Sequence, residues 1–208
     1  LHVYLGHYLD ILKKKNLHEL SVYLLVCFKV MVILKYYYEN IIRRDLLNKF
    51  FYENLNKVPR ITNVTLNFGC QESTLKDISA ALLALELLTG KTSSITVTNS
   101  LNTSLKIKKG QPIGCKKVLT KHSMYFFISK LNLKISPEVL YSKIVPRKKE
   151  FEKKCSYSLT IKKITSFSEF EKNFYLFNRL PSLDLTISAN TPDAKQFLFS
   201  LKSLKFFV

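Results

Sequence analysis

The 208-residue chain carries 33 Lys and Arg residues against 15 Asp and Glu residues, which gives a formal net charge of +18. This excess of positive charge indicates a polyanionic partner. A hydrophobic content of 47% and an aromatic content of 12% exclude a disordered basic tail and predict a folded protein.

Metal-binding and catalytic motifs are absent from the sequence. The four cysteines, at positions 27, 70, 115 and 155, form no C-x-x-C pair, and the four histidines are equally scattered. We therefore expect reduced thiols, no metal site and no cofactor. The sequence also contains no Walker loop, dinucleotide fingerprint or nucleophile elbow, so we expect that the protein is not an enzyme.

The first predicted element is an apolar run from Leu20 to Leu34 that is interrupted by Lys29. It is shorter than the roughly 20 residues that cross a bilayer, so it predicts a buried or docking helix and no membrane span. We assign residues 1–33 to a helical N-terminal extension and residues 34–208 to the main domain. The alternative is a peripheral membrane protein whose lysines at 13–15 contact anionic lipid.

A strand and a helix are predicted next. From Ile61 to Phe68, apolar and polar residues alternate, which is typical of a half-buried strand with Asn63, Thr65 and Asn67 on its polar face. The following helix has Thr74 as its N-cap and Gly90 as a left-handed C-cap. Its predicted apolar stripe is Leu75, Ile78, Leu82 and Leu85.

A hairpin with a long tip is predicted after this helix. Its first strand alternates Ile95 and Val97 with Thr96 and Thr98, and its second alternates Leu105 and Ile107 with Lys106 and Lys108. The stretch 106–117 contains five lysines, two glycines and one proline. We expect tight turns at Gly110 and Gly114 beside Pro112, which would present the ammonium groups to phosphate.

The remaining sequence repeats the alternation of strands and helices. A basic strand from Lys116 to Lys121 precedes a helix with Met124, Phe127, Ile128 and Leu131 on one face. Strands follow at 157–161 and 183–187. Thr191 and Pro192 predict the start of a last helix, whose apolar face is Ala194, Phe197, Leu198 and Leu201.

These elements predict an α+β fold with an antiparallel or mixed sheet, helices packed on one face and an open, RNA-binding face. Short polar groups beside lysines suit the shallow minor groove of A-form RNA. An ordinary solvated sheet face is the alternative that alternation by itself leaves open. The residues expected on the open face are Thr65, Asn67, Thr96, Thr98, Lys106, Lys108, Thr160 and Lys162.

Four segments in this order resemble the bacterial-type family of large-subunit ribosomal protein L-five. They are Val58–Ile61, Val64–Gly69, Leu105–Lys116 and Leu183–Ile187. The similarity extends from Leu34, through the Tyr36–Glu39 segment that looks like the family's first helix, to about Asn132, and resumes from Ser156 to Phe207. Residues 133–155 depart from the family pattern.

The resemblance implies a structural protein of the central protuberance of the large ribosomal subunit. Its partners would be 5S rRNA, large-subunit rRNA, the P-site tRNA, a protein of the small-subunit head across an intersubunit bridge, and neighbouring central-protuberance proteins. The rRNA-binding residues would be Arg60, Thr65, Asn67, Lys91, Thr96, Lys106, Lys108, Lys109, Gln111 and Lys116. The loop near the tRNA would contain Asn99, Ser100, Asn102, Thr103 and Ser104.

The residue usage favours an organelle. Lysine far exceeds arginine, glycine is scarce, and Phe, Tyr, Ile and Asn are abundant, a choice that follows AT-rich codons. We therefore expect a mitochondrial ribosome in the matrix, with a plastid as the alternative. An RNA-binding or processing factor outside the ribosome is the remaining alternative for the function.

Overall fold

The computed structural model describes residues 31–54, 57–70, 75–101, 103–104, 107–134, 145–147, 155–162, 164, 167–171, 174–191 and 193–204. The expectations for residues 1–30, for the Thr74 cap, for Lys106 and for Asn102 lie outside the described residues.

The centre of the protein is a six-stranded antiparallel sheet with strand order β2-β3-β1-β6-β5-β4. Its strands are β1 (Ile61–Gly69), β2 (Ser94–Val97), β3 (Pro112–Thr120), β4 (Val145–Arg147), β5 (Cys155–Ile161) and β6 (Leu183–Ala189). The purely antiparallel pairing resolves the choice between an antiparallel and a mixed sheet.

One face of the sheet forms the hydrophobic core. Along β1, Val64, Leu66 and Phe68 are fully buried, whereas the residues between them are partly exposed. The buried residues of β6 and β5 lie opposite them in register, with Leu66 beside Leu185 and Leu185 beside Leu159. This confirms the predicted strand alternation and the α+β fold class.

The described helices surround this core. Residues 31–37 are helical and continue through a π-helical turn, Tyr38–Ile42, into α1 (Arg43–Lys49). The others are α2 (Leu75–Thr89), α3 (Lys121–Lys134), α4 (Ser168–Glu171), α5 (Phe174–Phe177) and α6 (Ala194–Ser203). Within the described residues, no helix has the length and apolar character that a membrane crossing requires.

Helix α2 ends as predicted and buries most of the predicted stripe. Gly90 follows it with φ of +66°, the left-handed conformation that glycine adopts at helix ends. Ile78 and Leu85 are buried and Leu82 is partly buried, as predicted, whereas Leu75, the first residue of the helix, is 80% exposed and lies outside the buried stripe. That stripe consists of Ile78, Ala81, Ala84, Leu85 and Leu88.

The predicted partner of the first hairpin strand is wrong. That partner is β3, and Ile95 pairs with Cys115; Leu105 and Lys106, from the predicted second strand, lie outside the described residues. Lys108 lies outside the sheet, in the loop that joins the two strands. The alternation of Ile113, Cys115 and Leu119 on the core side indicates the real strand, but the glycine and proline around it suggested a turn.

Gly110 and Gly114 have different roles. Gly110 adopts φ of +80° in the loop, which confirms a turn there. Gly114, expected in a second turn, lies inside β3, where a Cβ atom would stand 2.2 Å from the backbone oxygen of Phe68. The close approach of two strands, not a turn, therefore requires this glycine.

Two helix boundaries differ from the prediction. The predicted basic strand 116–121 is the second half of β3, and α3 already begins at Lys121. The N-cap of α6 is Asp193, not Thr191; the Thr191 hydroxyl instead accepts a hydrogen bond from the backbone N–H of Asp193 at 3.3 Å. Phe197 and Leu201 are buried, as predicted.

A buried ion pair joins three helices behind the sheet. The ammonium of Lys130 in α3 lies 3.0 Å from a carboxylate oxygen of Glu169 in α4 and donates to the carbonyl of Leu88 in α2 at 3.1 Å. That carbonyl belongs to the last turn of α2, where backbone acceptors lack partners within the helix. Lys130 therefore satisfies a helix end as well as a carboxylate.

Candidate RNA interface

The polar residues of the sheet form continuous rows across its second face. The pairing register places Ser94, Lys116, Asn67, Asp184 and Thr160 side by side on five neighbouring strands. Because side chains alternate along each strand, all five point away from the core. We call the surface formed by this row and the parallel rows beside it the open face.

Charge along the first row is carried by two residues. Lys116 and Asp184 are exposed and lie on opposite sides of the half-buried Asn67. The Asp184 carboxylate already accepts a hydrogen bond from the Thr160 hydroxyl at 2.8 Å. The row thus offers one cation for a phosphate, one amide that both donates and accepts, and one carboxylate that can accept from a sugar hydroxyl.

A second row is built mainly from hydroxyl groups. Val118, Thr65, Thr186 and Ser158 are adjacent in register, and the hydroxyls of Ser158 and Thr186 lie 3.2 Å apart. The three polar members are half-buried, whereas Val118 is exposed. Short hydroxyls can exchange hydrogen bonds with RNA 2′-OH groups while the surface stays flat.

One end of the open face has little side-chain cover. Gly69 pairs with Gly114, and Thr96 lies on the far side of Gly114. A Cβ atom at Gly69 would meet no heavy atom within 4 Å. A ligand can therefore approach the backbone closely beside Thr96.

The loop between β2 and β3 is organised by its own polar side chains. The Thr98 hydroxyl donates to the Lys108 carbonyl at 2.6 Å, and the Gln111 side-chain oxygen accepts from the Lys108 backbone N–H at 3.0 Å. These bonds leave the side chains of Lys108 and Lys109 exposed at a fixed turn. The described loop residues Asn99, Ser100, Thr103 and Ser104 are also exposed.

The structure brings together only part of the predicted site. Thr65, Asn67, Thr96 and Lys116 share the open face, while Lys108, Lys109 and Gln111 lie in the adjoining loop. Lys91 lies in the α2–β2 connection and Arg60 precedes β1.

Lys162 and Thr98 were expected on the open face, but both follow the last residue of their strands. Both strands end before the alternating sequence pattern does, so the pattern overestimates the length of the strands. Lysines therefore flank the open face more than they cover it.

Sequence reasoning missed four polar residues of these two rows. They are Ser94, Ser158, Asp184 and Thr186. The alternation in β5 and β6 already separated three of them from the core residues, so the same rule that selected Asn67 could have identified them.

The thiols have no sign of metal chemistry in the described part of the chain. Burial raises the pKa of Cys115 to about 11 and also raises the pKa of Cys70, so both are protonated at neutral pH. The described residues contain no group of three or more metal-ligating side chains.

Comparison with known proteins finds relatives that are named as large ribosomal subunit proteins. No protein-family model matches the chain. The chain is 36% identical to the large ribosomal subunit protein uL5m of Reclinomonas americana over 165 residues, which are 78% of this chain and 90% of that relative. It is 32% identical to the large ribosomal subunit protein uL5 of Wigglesworthia glossinidia brevipalpis over 178 residues, or 85% of this chain and 98% of the relative.

Proposed function

The chain belongs to the uL5 family of large ribosomal subunit proteins, and we propose that it holds ribosomal RNA at the central protuberance through its open face. As a member of this family it is a structural ribosomal protein and not an enzyme. The proposed RNA partners are 5S rRNA and the adjacent large-subunit rRNA.

The observation that carries this proposal is the row Ser94, Lys116, Asn67, Asp184 and Thr160. Its members are fixed by strand pairing on one side of a packed core, so they need little ordering on binding. A rigid surface of hydroxyl and amide groups recognises the shape and 2′-OH groups of RNA, while lysines around it contact phosphate. The net charge of +18 supports the same partner.

The loop between β2 and β3 has a different proposed role. We assign its exposed residues Asn99, Ser100, Thr103 and Ser104 to the surface near the P-site tRNA. None of them is charged, so any contact with the tRNA backbone would use hydrogen bonds. We further propose a contact between residues 34–208 and a small-subunit head protein across an intersubunit bridge.

The proposed location is the mitochondrial ribosome, in the matrix. It is supported by the mitochondrial relative from Reclinomonas americana and by a lysine-rich, glycine-poor composition. Residues 34–208 would form the RNA-binding domain, with residues before them as an extension.

Replacing Asn67 by alanine tests the open face directly. We expect Asn67→Ala to weaken binding of the full chain to 5S rRNA by about 1–3 kcal/mol, because the RNA group that met the amide would be left without a partner. Filter-binding titrations at one fixed salt concentration measure this loss.

The matched control is Asn178→Ala, at an exposed asparagine in the turn after α5. We expect this variant to bind RNA as the parent does. Equal losses in the two variants, or no loss in either, would remove Asn67 and the open face from the RNA interface.

A further inference from the structure

A cationic cavity lies away from the open-face row. Its volume is about 340 Å³, and it is lined by the first helix, the start of β1 and the β3–α3 junction. Four basic side chains contribute to the lining, namely Lys35, Arg43, Arg60 and Lys121. The one carboxylate of the lining, Glu39, lies 4.0 Å from the Lys35 ammonium. Because these cations come from three separate segments, folding must bring like charges together, which is unfavourable without an anion.

Two buried tyrosines support one wall of the cavity. The rings of Tyr38 and Tyr125 lie 6.1 Å apart at 53°. The Tyr38 hydroxyl donates to the Pro59 carbonyl at 3.2 Å and accepts from the Ile61 N–H at 3.3 Å, which fixes its position. Burial raises the pKa of Tyr38 to about 12, although nearby Arg43 and Arg60 favour its ionised form. Burial also raises the pKa of Tyr125, so both phenols are neutral at pH 7 and add no negative charge to the cavity.

Arg43 contributes a buried donor to the lining of the cavity. Its Nε atom is buried and has no hydrogen-bond partner among the residues that the structure describes. A buried donor on a charged group is costly to leave unpaired, by about 1–3 kcal/mol or more. An acceptor that enters the cavity from outside would remove this cost.

The start of α3 adds to the attraction for an anion. Lys121 is the first residue of this 14-residue helix, and the first turn contains no acidic residue. Lys121, His122 and Met124 all line the cavity. The positive end of the helix dipole therefore adds to the side-chain charges. Lys121 also has a left-handed φ of +52°, a conformation that costs energy for a residue with a side chain.

We propose that this cavity binds the phosphate group of an unpaired ribonucleotide. The guanidinium groups of Arg43 and Arg60 match the oxygens of a phosphate, which takes two parallel hydrogen bonds from each fork. A ligand with a single carboxylate would bring only one negative charge, which is too little to balance four basic side chains that face one acidic side chain. The volume exceeds that of a phosphate, so it can also hold a sugar. The inference rests on the proposed function only for the source of the nucleotide, which is RNA.

Uridine 5′-monophosphate is the probe for the test, with uridine as its uncharged counterpart. In a titration of the full chain followed by NMR, we expect the monophosphate to shift the Arg43 Nε–H signal and uridine to leave it unchanged. Arg43→Gln and Arg60→Gln should each weaken monophosphate binding tenfold or more, because each removes charge-assisted hydrogen bonds. Arg179→Gln, at an exposed arginine outside the cavity, should bind as the parent does.

The outcomes separate the possible ligands. A single-stranded oligoribonucleotide should displace the monophosphate, whereas a duplex of the same length should not; equal displacement by the duplex would overturn the assignment to an unpaired nucleotide. Stronger displacement by a polyglutamate peptide would overturn the assignment to phosphate. Unchanged binding by Arg43→Gln, or shifts spread over surface lysines, would reject the cavity as a site.

This test is independent of the open face. Asn67→Ala leaves the cavity intact, so its 5S rRNA affinity reports on the proposed function alone. Conversely, Arg43→Gln leaves the open-face row intact, and monophosphate binding reports on the cavity alone.

Discussion

Replacing Gly114 by alanine is expected to lower the free energy of unfolding by about 3 kcal/mol or more. The added Cβ would lie 2.2 Å from the backbone oxygen of Phe68 and 3.2 Å from the Thr96 hydroxyl. A backbone oxygen in the centre of a sheet cannot move without separating β1 from β3. Since Thr96 and Lys116 belong to the same region of the open face, we also expect weaker RNA binding.

Gly69→Ala is the matched control for this substitution. Gly69 is the residue that pairs with Gly114, but a Cβ atom there meets nothing within 4 Å. We expect the free energy of unfolding to change by less than about 1 kcal/mol. It should increase if alanine restricts the backbone of the unfolded chain without straining the strand. Urea denaturation gives both values. Similar midpoints for the two variants would contradict the close strand approach described for Gly114.

Replacing Lys130 by methionine is expected to cost about 3–5 kcal/mol of stability, because it removes the ammonium that faces the Glu169 carboxylate in the protein interior. The two side chains retain only 6% and 19% of their accessible surface. The Leu88 carbonyl would lose its ammonium donor in the same variant. Thermal or urea unfolding of the full chain measures the loss.

Two further variants identify the cause of that loss. The double variant Lys130→Met with Glu169→Leu should be more stable than Lys130→Met alone, since no buried charge remains. Lys57→Met removes an ion pair with Glu53 whose side chains are 59% and 82% exposed, so it should change stability by less than about 1 kcal/mol. A double variant as unstable as the single one would show that packing, not the remaining Glu169 charge, causes the loss.

Local sequence patterns correctly predicted features that depend on residues close to one another in the chain. The alternation in β1 correctly placed Asn67 and Thr65 on the polar face of the strand, because successive side chains of a strand point to opposite faces. Gly90 ends α2 in the left-handed conformation that its position suggested.

Other features depend on contacts between distant segments. Gly114 suggested a turn because glycine in the sequence does not reveal whether it permits a positive φ or a close strand approach. The sequence around Lys130 does not indicate that this residue is buried, since its carboxylate partner and carbonyl acceptor come from two other helices. The cavity likewise requires Arg43, Arg60 and Lys121 from three segments.

A density map of the large ribosomal subunit that contains this protein tests the central claim most directly. We predict RNA within hydrogen-bonding distance of Asn67 and Lys116, with ribose hydroxyls facing the rows of Thr65 and Thr186. A map in which protein covers this open face, or in which it faces solvent while RNA contacts only the helices, would contradict the account.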